Sequence, residues 1–238
     1  MSFKYIKKIK DESFEDLDII IPSAGMGKRM KSYGPKSLIK IKKNKSILDI
    51  QLEMLNEKFP HSNIILVSGF QSNHLMNNSP ENLIKIENEG YESNNVARSI
   101  GMGLRATSKR KILIVYGDLV FNNECLECIN YNHSSIVASN DIMKKNEIGC
   151  IINPKNLYLE NMMYDLKLKW GQISLFTGNE LKILKEICWN PQNYNLFGFE
   201  VINKIMQQGG KFKVGTDKRI KAIDIDSSKD LDLVRGII

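Results

Sequence analysis

The sequence is poor in the side chains on which several large classes of enzyme and metal protein depend. It holds 3 histidines, 4 cysteines and 6 prolines among 238 residues. His61, His74 and His133 stand far apart, so no Ser/His/Asp arrangement is apparent, and each is expected at the surface or in a loop. Cys125 and Cys128 form one C-x-x-C pair, but no second pair or nearby histidine completes a zinc site. We therefore expect reduced, structural thiols.

The sequence also lacks a long apolar run and a flexible linker. No apolar segment reaches the length that crosses a membrane, and the N-terminus, MSFKYIKKIKDESFEDLD, is charged rather than signal-like. We therefore expect a cytoplasmic protein without membrane insertion, in which residues 1–17 form an N-terminal extension. Because no Gly/Ser-rich segment divides the remainder, a single domain is expected over residues 18–238.

Positive charge is in excess, with 34 Lys and Arg residues against 27 Asp and Glu residues and a formal net charge of +7. Such a balance suits nucleic acid, anionic membranes or phosphorylated small molecules. The cations are scattered in short runs, few aromatic residues lie among them, and no nucleic-acid motif is present. Most of the charge is therefore expected on a solvated surface, with no nucleic-acid partner.

Short apolar segments alternate with segments of helical periodicity over the first 140 residues. Strands are predicted at 19–23, 63–69, 83–88, 111–118 and 135–139, and helices at 46–59, 94–107 and 122–131. Continuous apolar strands separated by helices indicate a parallel sheet that is covered on both faces. The prediction is an α/β, Rossmann-like fold with a mostly parallel sheet.

The pattern loosens after Cys150, where antiparallel strands, helices at 179–187 and 199–208, a strand at 221–225 and a short Ser-capped helix are predicted. Ligands of parallel sheets bind outside the carboxyl ends of the strands. The glycine-rich stretch after residue 22, Ser68-Gly69 and Asp118 all fall at such ends. These three segments should therefore meet on one side of the molecule.

The first predicted strand runs into Ser23-Ala24-Gly25-Met26-Gly27-Lys28-Arg29, with Pro35-Lys36 six residues further on. Glycines at a strand end let backbone N–H groups close on a phosphate without interference from a Cβ atom. Arg29 can grip phosphate oxygens with two hydrogen bonds, and Lys36 supplies a compact positive charge. Neither the Walker A pattern nor the dinucleotide fingerprint fits. The stretch predicts a polyphosphate cradle of another kind.

Four segments resemble the nucleotidyltransferases that join an NTP to a phosphorylated small molecule, and most closely the bacterial phosphocholine cytidylyltransferases. NEGYESNN (Asn88–Asn95), YGDLVF (Tyr116–Phe121) and IDIDSSKDL (Ile223–Leu231) are similar to later motifs of those enzymes, with Asp224 where Glu is usual. The first motif is matched by Gly25, Gly27, Arg29, Met30, Pro35, Lys36 and Leu38. The resemblance extends over residues 18 to 236.

The resemblance implies a GT-A-type fold with a nucleotide-binding part at about 18–140 and a smaller acceptor-binding part at about 141–220. It implies that Lys36 and Arg29 act in catalysis, and that Asp118 and Asp226 hold Mg²⁺. The implied partners are CTP and a small phosphorylated acceptor, and a homodimer is allowed. The implied nucleotide-binding residues are Ser23, Ala24, Gly25, Met26, Gly27, Lys28, Gly69 and Asn95.

The acceptor site is implied to include Trp170, Tyr194 and Asp224, with Tyr164 and Trp189 as further aromatic candidates. Tyr194 is followed by Asn195, where phosphocholine enzymes carry an acidic partner. Acceptors that remain open are therefore a phosphocholine-like compound, an amino-acid or amide phosphate, and a phosphonate. Such groups decorate bacterial surface polysaccharides, which implies a role in capsule or lipooligosaccharide biosynthesis.

Three other functions stay open at this point. The first is a sugar-1-phosphate nucleotidyltransferase that uses UTP, GTP or dTTP. The second is a glycosyltransferase, which would usually show Asp-x-Asp where this chain has the single Asp118. The third is a module that binds RNA or an anionic surface through the net positive charge.

Overall fold

The computed structural model describes residues 14–27, 33–42, 44–141, 143–144 and 147–234. Its strands are β1 (Leu17–Ser23), β2 (Lys40–Lys42), β3 (Lys45–Ser46), β4 (Ile64–Ser68), β5 (Ile84–Glu87), β6 (Lys111–Val115), β7 (Leu119–Phe121), β8 (Ser135–Ser139), β9 (Ile148–Ile152), β10 (Leu159–Tyr164), β11 (Lys169–Thr177), β12 (Lys213–Thr216) and β13 (Ala222–Asp224). Its helices are α1 (Ile47–Lys58), α2 (Ser72–Asn77), α3 (Val96–Gly103), α4 (Glu124–Glu127), α5 (Gly178–Trp189), α6 (Gly198–Gln207) and α7 (Ser228–Val234).

Runs of isoleucine, leucine and valine form the parallel part of the central sheet, in the order β5-β4-β1-β6. Ile19 of β1 pairs with Ile64 of β4 on one side and with Leu113 of β6 on the other, both in parallel register. These β-branched and apolar side chains suit strands that are covered on both faces. The predicted α/β fold with a mostly parallel central sheet is confirmed.

Antiparallel strands complete the sheet on the far side of β6. Strand β11 pairs antiparallel with β6, and β8, β9, β10 and β12 extend the sheet beyond it. This part agrees with the antiparallel strands predicted after Cys150. The parallel and the antiparallel strands form one continuous sheet, so both groups of strands contribute side chains at the same end of the sheet.

Side chains alternate between the two faces of β1 and enter two separate clusters of the core. Ile20 packs with apolar residues of α3, α5 and α6, whereas Ile19 and Ile21 pack with residues of α1, α2 and α4. Successive side chains of a strand point to opposite faces, which explains this division. Helices therefore cover both faces of the sheet, as predicted.

Helix starts follow the capping rules, with one shift from the prediction. Ser46 caps α1, since its side chain accepts from the backbone N–H of Asp49 and the Asp49 carboxylate accepts from the backbone N–H of Ser46. Helix α3 was expected to start at Asn94, but Asn95 is its cap, and its side-chain oxygen accepts from the Val96 N–H at 2.8 Å. The helix expected over 122–131 is reduced to the four residues of α4.

The expected extension overlaps the domain at its C-terminal end. Leu17 is fully buried in β1, and the ring of Phe14 packs edge-on against Phe59 and Tyr131. Phe14 and Leu17 therefore pack with the core, while residues 1–13 lie outside the described part of the chain. None of the helices in the described ranges combines the length and the apolar character that a membrane crossing requires.

A two-stranded ribbon of β7 and β13 brings the end of the chain next to Asp118. Asp224 pairs with Leu119, and the Ile225 N–H donates to the carbonyl oxygen of Asp118 at 3.0 Å. Asp118 precedes β7, and Asp226 follows β13 by two residues. The ribbon therefore places the two predicted metal ligands side by side.

Candidate active site

A cavity of about 240 Å³ opens beyond the carboxyl ends of β1 and β6. Of the residues predicted to bind nucleotide, Ser23, Ala24, Gly25, Gly27 and Asn95 line this cavity. It is called the nucleotide cavity below, and its other lining residues are Pro22, Lys36, Ser37, Asn88, Tyr91, Asn94, Val96, Ser99, Tyr116, Gly117 and Asp118. Of the three segments predicted to meet, the glycine-rich stretch and Asp118 line the cavity, whereas Gly69 packs against the lining residues Ala24 and Tyr91.

No role in the nucleotide cavity is shown for Met26, Lys28 or Arg29, which were also predicted to belong to the cradle. Met26 is described but does not line the nucleotide cavity. Lys28 and the predicted catalytic Arg29 lie outside the described residues. Their assigned roles therefore remain predictions.

Gly27 and Lys36 fit against each other at the mouth of the cradle. Gly27 has φ +51°, and a Cβ atom at this position would lie 2.8 Å from Cε and 3.1 Å from Cγ of Lys36. Only glycine adopts this conformation without steric cost, and only glycine leaves room for the lysine stem. The glycine therefore determines where the ammonium group of Lys36 is placed.

The Lys36 ammonium group lies between two carboxylates from distant parts of the chain. Its Nζ atom is 2.9 Å from Oδ2 of Asp118 and 2.7 Å from Oδ1 of Asp226. Burial acts to lower the pKa of Lys36, but the two carboxylates outweigh it and the pKa is raised. Burial also raises the pKa of Asp118, and Lys36 opposes that shift. Both carboxylates are therefore directed at one point, which a cation occupies.

A further acidic residue, Asp230, holds the loop that carries Asp226 in place. One carboxylate oxygen of Asp230 accepts from the backbone N–H groups of Asp226 and Ser227 at 2.9 and 2.7 Å, and from the Ser227 hydroxyl at 3.0 Å. The other oxygen accepts from Lys144 Nζ at 2.5 Å. Burial acts to raise the pKa of Asp230, but these donors hold the pKa below its usual range. Asp230 therefore positions Asp226 without contacting Lys36 itself.

Asparagine residues form part of the wall of the nucleotide cavity. The Asn88 and Asn94 side chains exchange hydrogen bonds at 2.8 and 3.2 Å, and Asn88 also donates to Ser99 Oγ at 3.1 Å. Gly69, predicted to bind nucleotide, does not line the cavity. A Cβ at Gly69 would lie 2.8 Å from both Ala24 and Tyr91, so this glycine lets two lining segments approach each other.

A second cavity of about 320 Å³ adjoins the first and is called the acceptor cavity below. It shares Asn95, Val96 and Tyr116 with the nucleotide cavity. Its remaining lining residues are Lys144, Glu147, Ile148, Tyr164, Lys169, Trp170, Gln172, Phe197, Gly198, Phe199, Asp224, Asp226, Ser227 and Asp230. Its wall thus combines aromatic rings, carboxylates and two lysines.

A buried ion cluster centred on Lys169 braces the floor of the acceptor cavity. Lys169 Nζ lies 2.6 Å from Glu147 and 3.1 Å from Asp224, and its side chain is 3% exposed. Burial acts to raise the pKa of Asp224, but Lys169 outweighs it and the pKa is lowered. The Asp224 carboxylate, which the resemblance placed in the acceptor site, is paired with Lys169. It lines the cavity as an ion-paired group.

Two buried polar groups near the border of the cavities have no partner among the described residues. They are the hydroxyl of Tyr116 and the indole N–H of Trp170, whose rings meet edge-on at 5.5 Å. Buried polar groups are nearly always hydrogen-bonded, and an unmade bond costs about 1–3 kcal/mol. Both residues line the acceptor cavity, so these two groups lie in its wall.

The first part of the chain matches a known protein family. Residues 19–137 match the MobA-like NTP transferase domain family, which covers half of the chain and includes the cradle, Lys36 and Asp118. The chain belongs to this family. No curated protein matches it at a significant level.

Solved structures show how far the fold of this MobA-like NTP transferase is shared. It resembles the inositol-1-phosphate CTP transferase of T. maritima, with TM-score 0.77, 17% identity and coverage of 92% of this chain and 94% of that chain. It also resembles the CTP:phosphocholine cytidylyltransferase LicC of Streptococcus pneumoniae, with TM-score 0.73, 17% identity and coverage of 93% and 99%. A nucleoside-diphosphate-sugar pyrophosphorylase of Vibrio cholerae gives TM-score 0.68, 13% identity and coverage of 92% and 99%. At these identities the likeness establishes the fold.

Two aromatic candidates lie away from both cavities of this MobA-like NTP transferase. Tyr194, predicted to contact the acceptor, instead stacks its ring on Arg98 at 4.3 Å and accepts from the Arg98 guanidinium at 2.8 Å. Its carbonyl oxygen accepts from the Asn95 N–H at 2.8 Å, so it supports the start of α3. Trp189 donates its indole N–H to Gly101. Of the named candidates, Trp170 and Tyr164 line the acceptor cavity.

Several residues of the site were not foreseen. Phe197 and Phe199 line the acceptor cavity with stacked rings whose centroids lie 6.2 Å apart, and their only signal in the sequence was two aromatic residues at the start of a helix. Glu147 and Lys169 meet only because β9 and β11 are neighbours. Tyr116 stood in a recognised motif, and its unpartnered hydroxyl was not apparent from the sequence.

Replacing Gly27 with Ala is expected to lower kcat/KM by about tenfold or more. The substitution strains a left-handed backbone by about 1–2 kcal/mol and pushes the Lys36 stem away from its position. Gly209→Ala is the matched control, since Gly209 has φ +87° and nothing lies within 4 Å of its added Cβ. Steady-state kinetics and thermal melting of both variants separate strain from displacement. Equal activity of the two variants would contradict the role of Gly27.

Proposed function

We propose that the protein is a Mg²⁺-dependent cytidylyltransferase that joins CTP to a small phosphorylated acceptor and releases pyrophosphate. The acceptor is a phosphocholine-like compound, an amino-acid or amide phosphate, or a phosphonate. The reaction serves the decoration of a bacterial surface polysaccharide and takes place in the cytoplasm. Membership of the NTP transferase family supports the reaction class, and the choice of CTP rests on the resemblance of residues 88–95 to the phosphocholine cytidylyltransferases.

One observation carries the proposal, namely the position of Lys36 between Asp118 and Asp226. Asp118 lines the nucleotide cavity and Asp226 lines the acceptor cavity, and both contact Lys36 at less than 3 Å. A cation site on the border of two cavities suits a reaction between two anions that would otherwise repel each other. The reacting phosphorus atom would lie at this border.

The chemistry requires no nucleophile from the protein. An anionic oxygen of the acceptor phosphate attacks the α-phosphorus of CTP and forms a new P–O bond. The bond from the α-phosphorus to the bridging oxygen breaks, and pyrophosphate leaves with the electron pair. Lys36 stabilises the charge that spreads over the α-phosphate, while the cradle amides from Gly25 onward and Arg29 hold the β- and γ-phosphates.

The residues present fit a divalent cation, which enzymes of this family usually use. Mg²⁺ takes one or two carboxylates and completes its coordination with water and substrate phosphates. Asp118 and Asp226 provide that pair, and the described residues contain no cluster of three or more His, Cys, Asp or Glu side chains that could hold a metal. When bound, Mg²⁺ would neutralise and align the phosphates. With the cation held by the two carboxylates, Lys36 would be available to the α-phosphate.

The acceptor cavity supports an acceptor with an ammonium or amide group. Aromatic faces attract ammonium cations, and Tyr164, Phe197 and Trp170 line this cavity. The carboxylates of Glu147 and Asp224 add negative potential, although Lys169 neutralises part of it. Trp170 and Tyr116 can donate to an oxygen of the same molecule.

Pyrophosphate release tests the proposal directly. The protein is incubated with Mg²⁺, one of CTP, UTP, GTP, dTTP or ATP, and one acceptor. The acceptors are phosphocholine, phosphoethanolamine, 2-aminoethylphosphonate, a phosphorylated amino acid or amide, and a hexose 1-phosphate. We expect release with CTP and a non-sugar acceptor, and none when Mg²⁺ is replaced by EDTA.

The alternative function is that of a sugar-1-phosphate nucleotidyltransferase. The likeness in fold to a nucleoside-diphosphate-sugar pyrophosphorylase supports this alternative. Release only with a hexose 1-phosphate and UTP, GTP or dTTP would replace the proposed function by this one. A Trp170→Phe variant adds a second readout, because it keeps an aromatic ring and removes the indole N–H. A rise in KM for the acceptor, with KM for CTP unchanged, would support Trp170 as an acceptor-binding residue.

A further inference from the structure

A third cavity lies at the opposite end of the central strands, where β1 and β6 begin and β11 ends. Its volume is about 590 Å³, and it is called the rear cavity below. It is lined by Asp16, Ser108, Lys109, Arg110, Lys111, Thr177, Gly178, Leu181, Lys182 and Lys185. The five-residue strand β6 runs from this cavity towards the active site and spans about 16 Å. The rear cavity is therefore separate from the catalytic site.

The rear cavity gathers positive charge from two parts of the chain. Five of its ten lining residues are Lys or Arg, and its single carboxylate, Asp16, is engaged by the side chain of Arg110. Lys182 and Lys185 lie one turn apart on α5, and their side chains form no ion pair or hydrogen bond within the described ranges. Like charges at this spacing repel each other unless an anion lies between them.

The segment that carries the other cations is held in place by hydrogen bonds. The backbone N–H of Lys111 donates to the Asp16 carbonyl oxygen at 3.0 Å, and Lys109 Nζ donates to that of Glu15 at 2.9 Å. The Thr177 hydroxyl donates to the Arg110 carbonyl oxygen at 3.2 Å. A ligand that binds here would meet a prearranged backbone and pay little for its ordering.

The lining also indicates the chemistry of the ligand. No aromatic residue lines the rear cavity, so it offers no face on which a nucleobase could stack. Its concave shape and its clustered Lys and Arg side chains suit a compact anion with several negative charges. We infer that the rear cavity is a second anion site that takes a small polyphosphate, separate from the nucleotide and acceptor cavities.

The test is isothermal titration calorimetry with inorganic tripolyphosphate, in buffer with EDTA and without nucleotide. The wild-type chain is compared with Lys182→Ala/Lys185→Ala and with Lys36→Ala, which alters the active site only. Lys155→Ala/Lys218→Ala is the matched control, because it removes two exposed lysines that line none of the three cavities. Thermal melting verifies that each variant is folded.

We expect the Lys182→Ala/Lys185→Ala protein to bind tripolyphosphate at least about tenfold more weakly at one site, since it loses two charged contacts. The control and Lys36→Ala should retain that site. Binding that is lost in Lys36→Ala but kept in the rear variant would place the anion in the active site and overturn the inference. Equal weakening in the control would mean unspecific attraction and would overturn it too. Retention of RNA without tripolyphosphate binding would point to a nucleic-acid surface instead. The assay uses neither CTP nor turnover, so its result is independent of the proposed cytidylyltransferase reaction.

Discussion

An Asp118→Asn variant is expected to lose turnover by about 10³-fold or more while it keeps the fold. Asp118 is one of two carboxylates directed at the cation position, and an amide cannot replace its charge. Metal-ion stabilisation of a phosphoryl-transfer transition state is worth several kcal/mol, and each 1.4 kcal/mol is about tenfold in rate. Pyrophosphate release under saturating CTP and acceptor measures the loss.

Two further measurements make the Asp118 prediction specific. Mn²⁺ binding, followed by electron paramagnetic resonance, should weaken in parallel with turnover. Asp217→Asn is the control, since it removes an ion-paired carboxylate, bound to Arg219 at 2.8 Å, that lines none of the cavities. Full turnover in Asp118→Asn, or an equal loss in the control, would refute the assignment of Asp118 as a metal ligand.

A Lys36→Ala variant is expected to lower kcat by about 10²–10³-fold, which is the usual cost of removing one preorganised charge or donor at a transition state. The effect should fall on kcat more than on KM for CTP, because the lysine acts on charge that develops at the α-phosphate. Lys40→Ala is the control, since Lys40 is an exposed lysine only four residues away whose contact is Asp49 at 3.5 Å. Lys36→Arg keeps the charge and tests whether its geometry matters.

For Lys36→Ala we also expect a change in metal binding, which is measured without turnover. In the ligand-free protein the Lys36 ammonium group occupies the position between Asp118 and Asp226, so it competes with a divalent cation. Without nucleotide, Lys36→Ala should therefore bind Mn²⁺ more tightly than the wild type does. Weaker Mn²⁺ binding in Lys36→Ala would mean that Lys36 does not compete for these carboxylates. A near-normal kcat of this variant would contradict the catalytic role of Lys36.

The parts of the fold that rest on local signals could be predicted from the sequence. The Ser46 cap of α1 and the apolar strands β1, β4 and β6 follow from short patterns of side chains. The gathering of the cradle, Gly69 and Asp118 on one side follows from the geometry of parallel strands alone. Local capping rules could not separate Asn94 from Asn95, because both can cap a helix.

The parts that could not be predicted depend on contacts between distant segments. The ribbon of β7 and β13 joins two three-residue strands that are too short to show a periodic pattern. The Lys169 cluster unites residues from β9's edge, β11 and β13, and no spacing in the sequence links them. Tyr194 was predicted to contact the acceptor because it resembles an aromatic position of the phosphocholine enzymes. Its ring stacks on Arg98, a contact between distant segments that the sequence did not indicate.

The separation of Lys36 and Asp226 by 190 positions affects the order in which the molecule is made. The strands of the parallel sheet and the phosphate cradle are complete once β6 has left the ribosome, and chains grow at about 5–20 residues per second. Synthesis of the segment from β6 to Asp226 then takes on the order of 10 s. During this interval the nascent chain lacks Asp226, so the two ion pairs of Lys36 are complete only when β13 has docked beside β7.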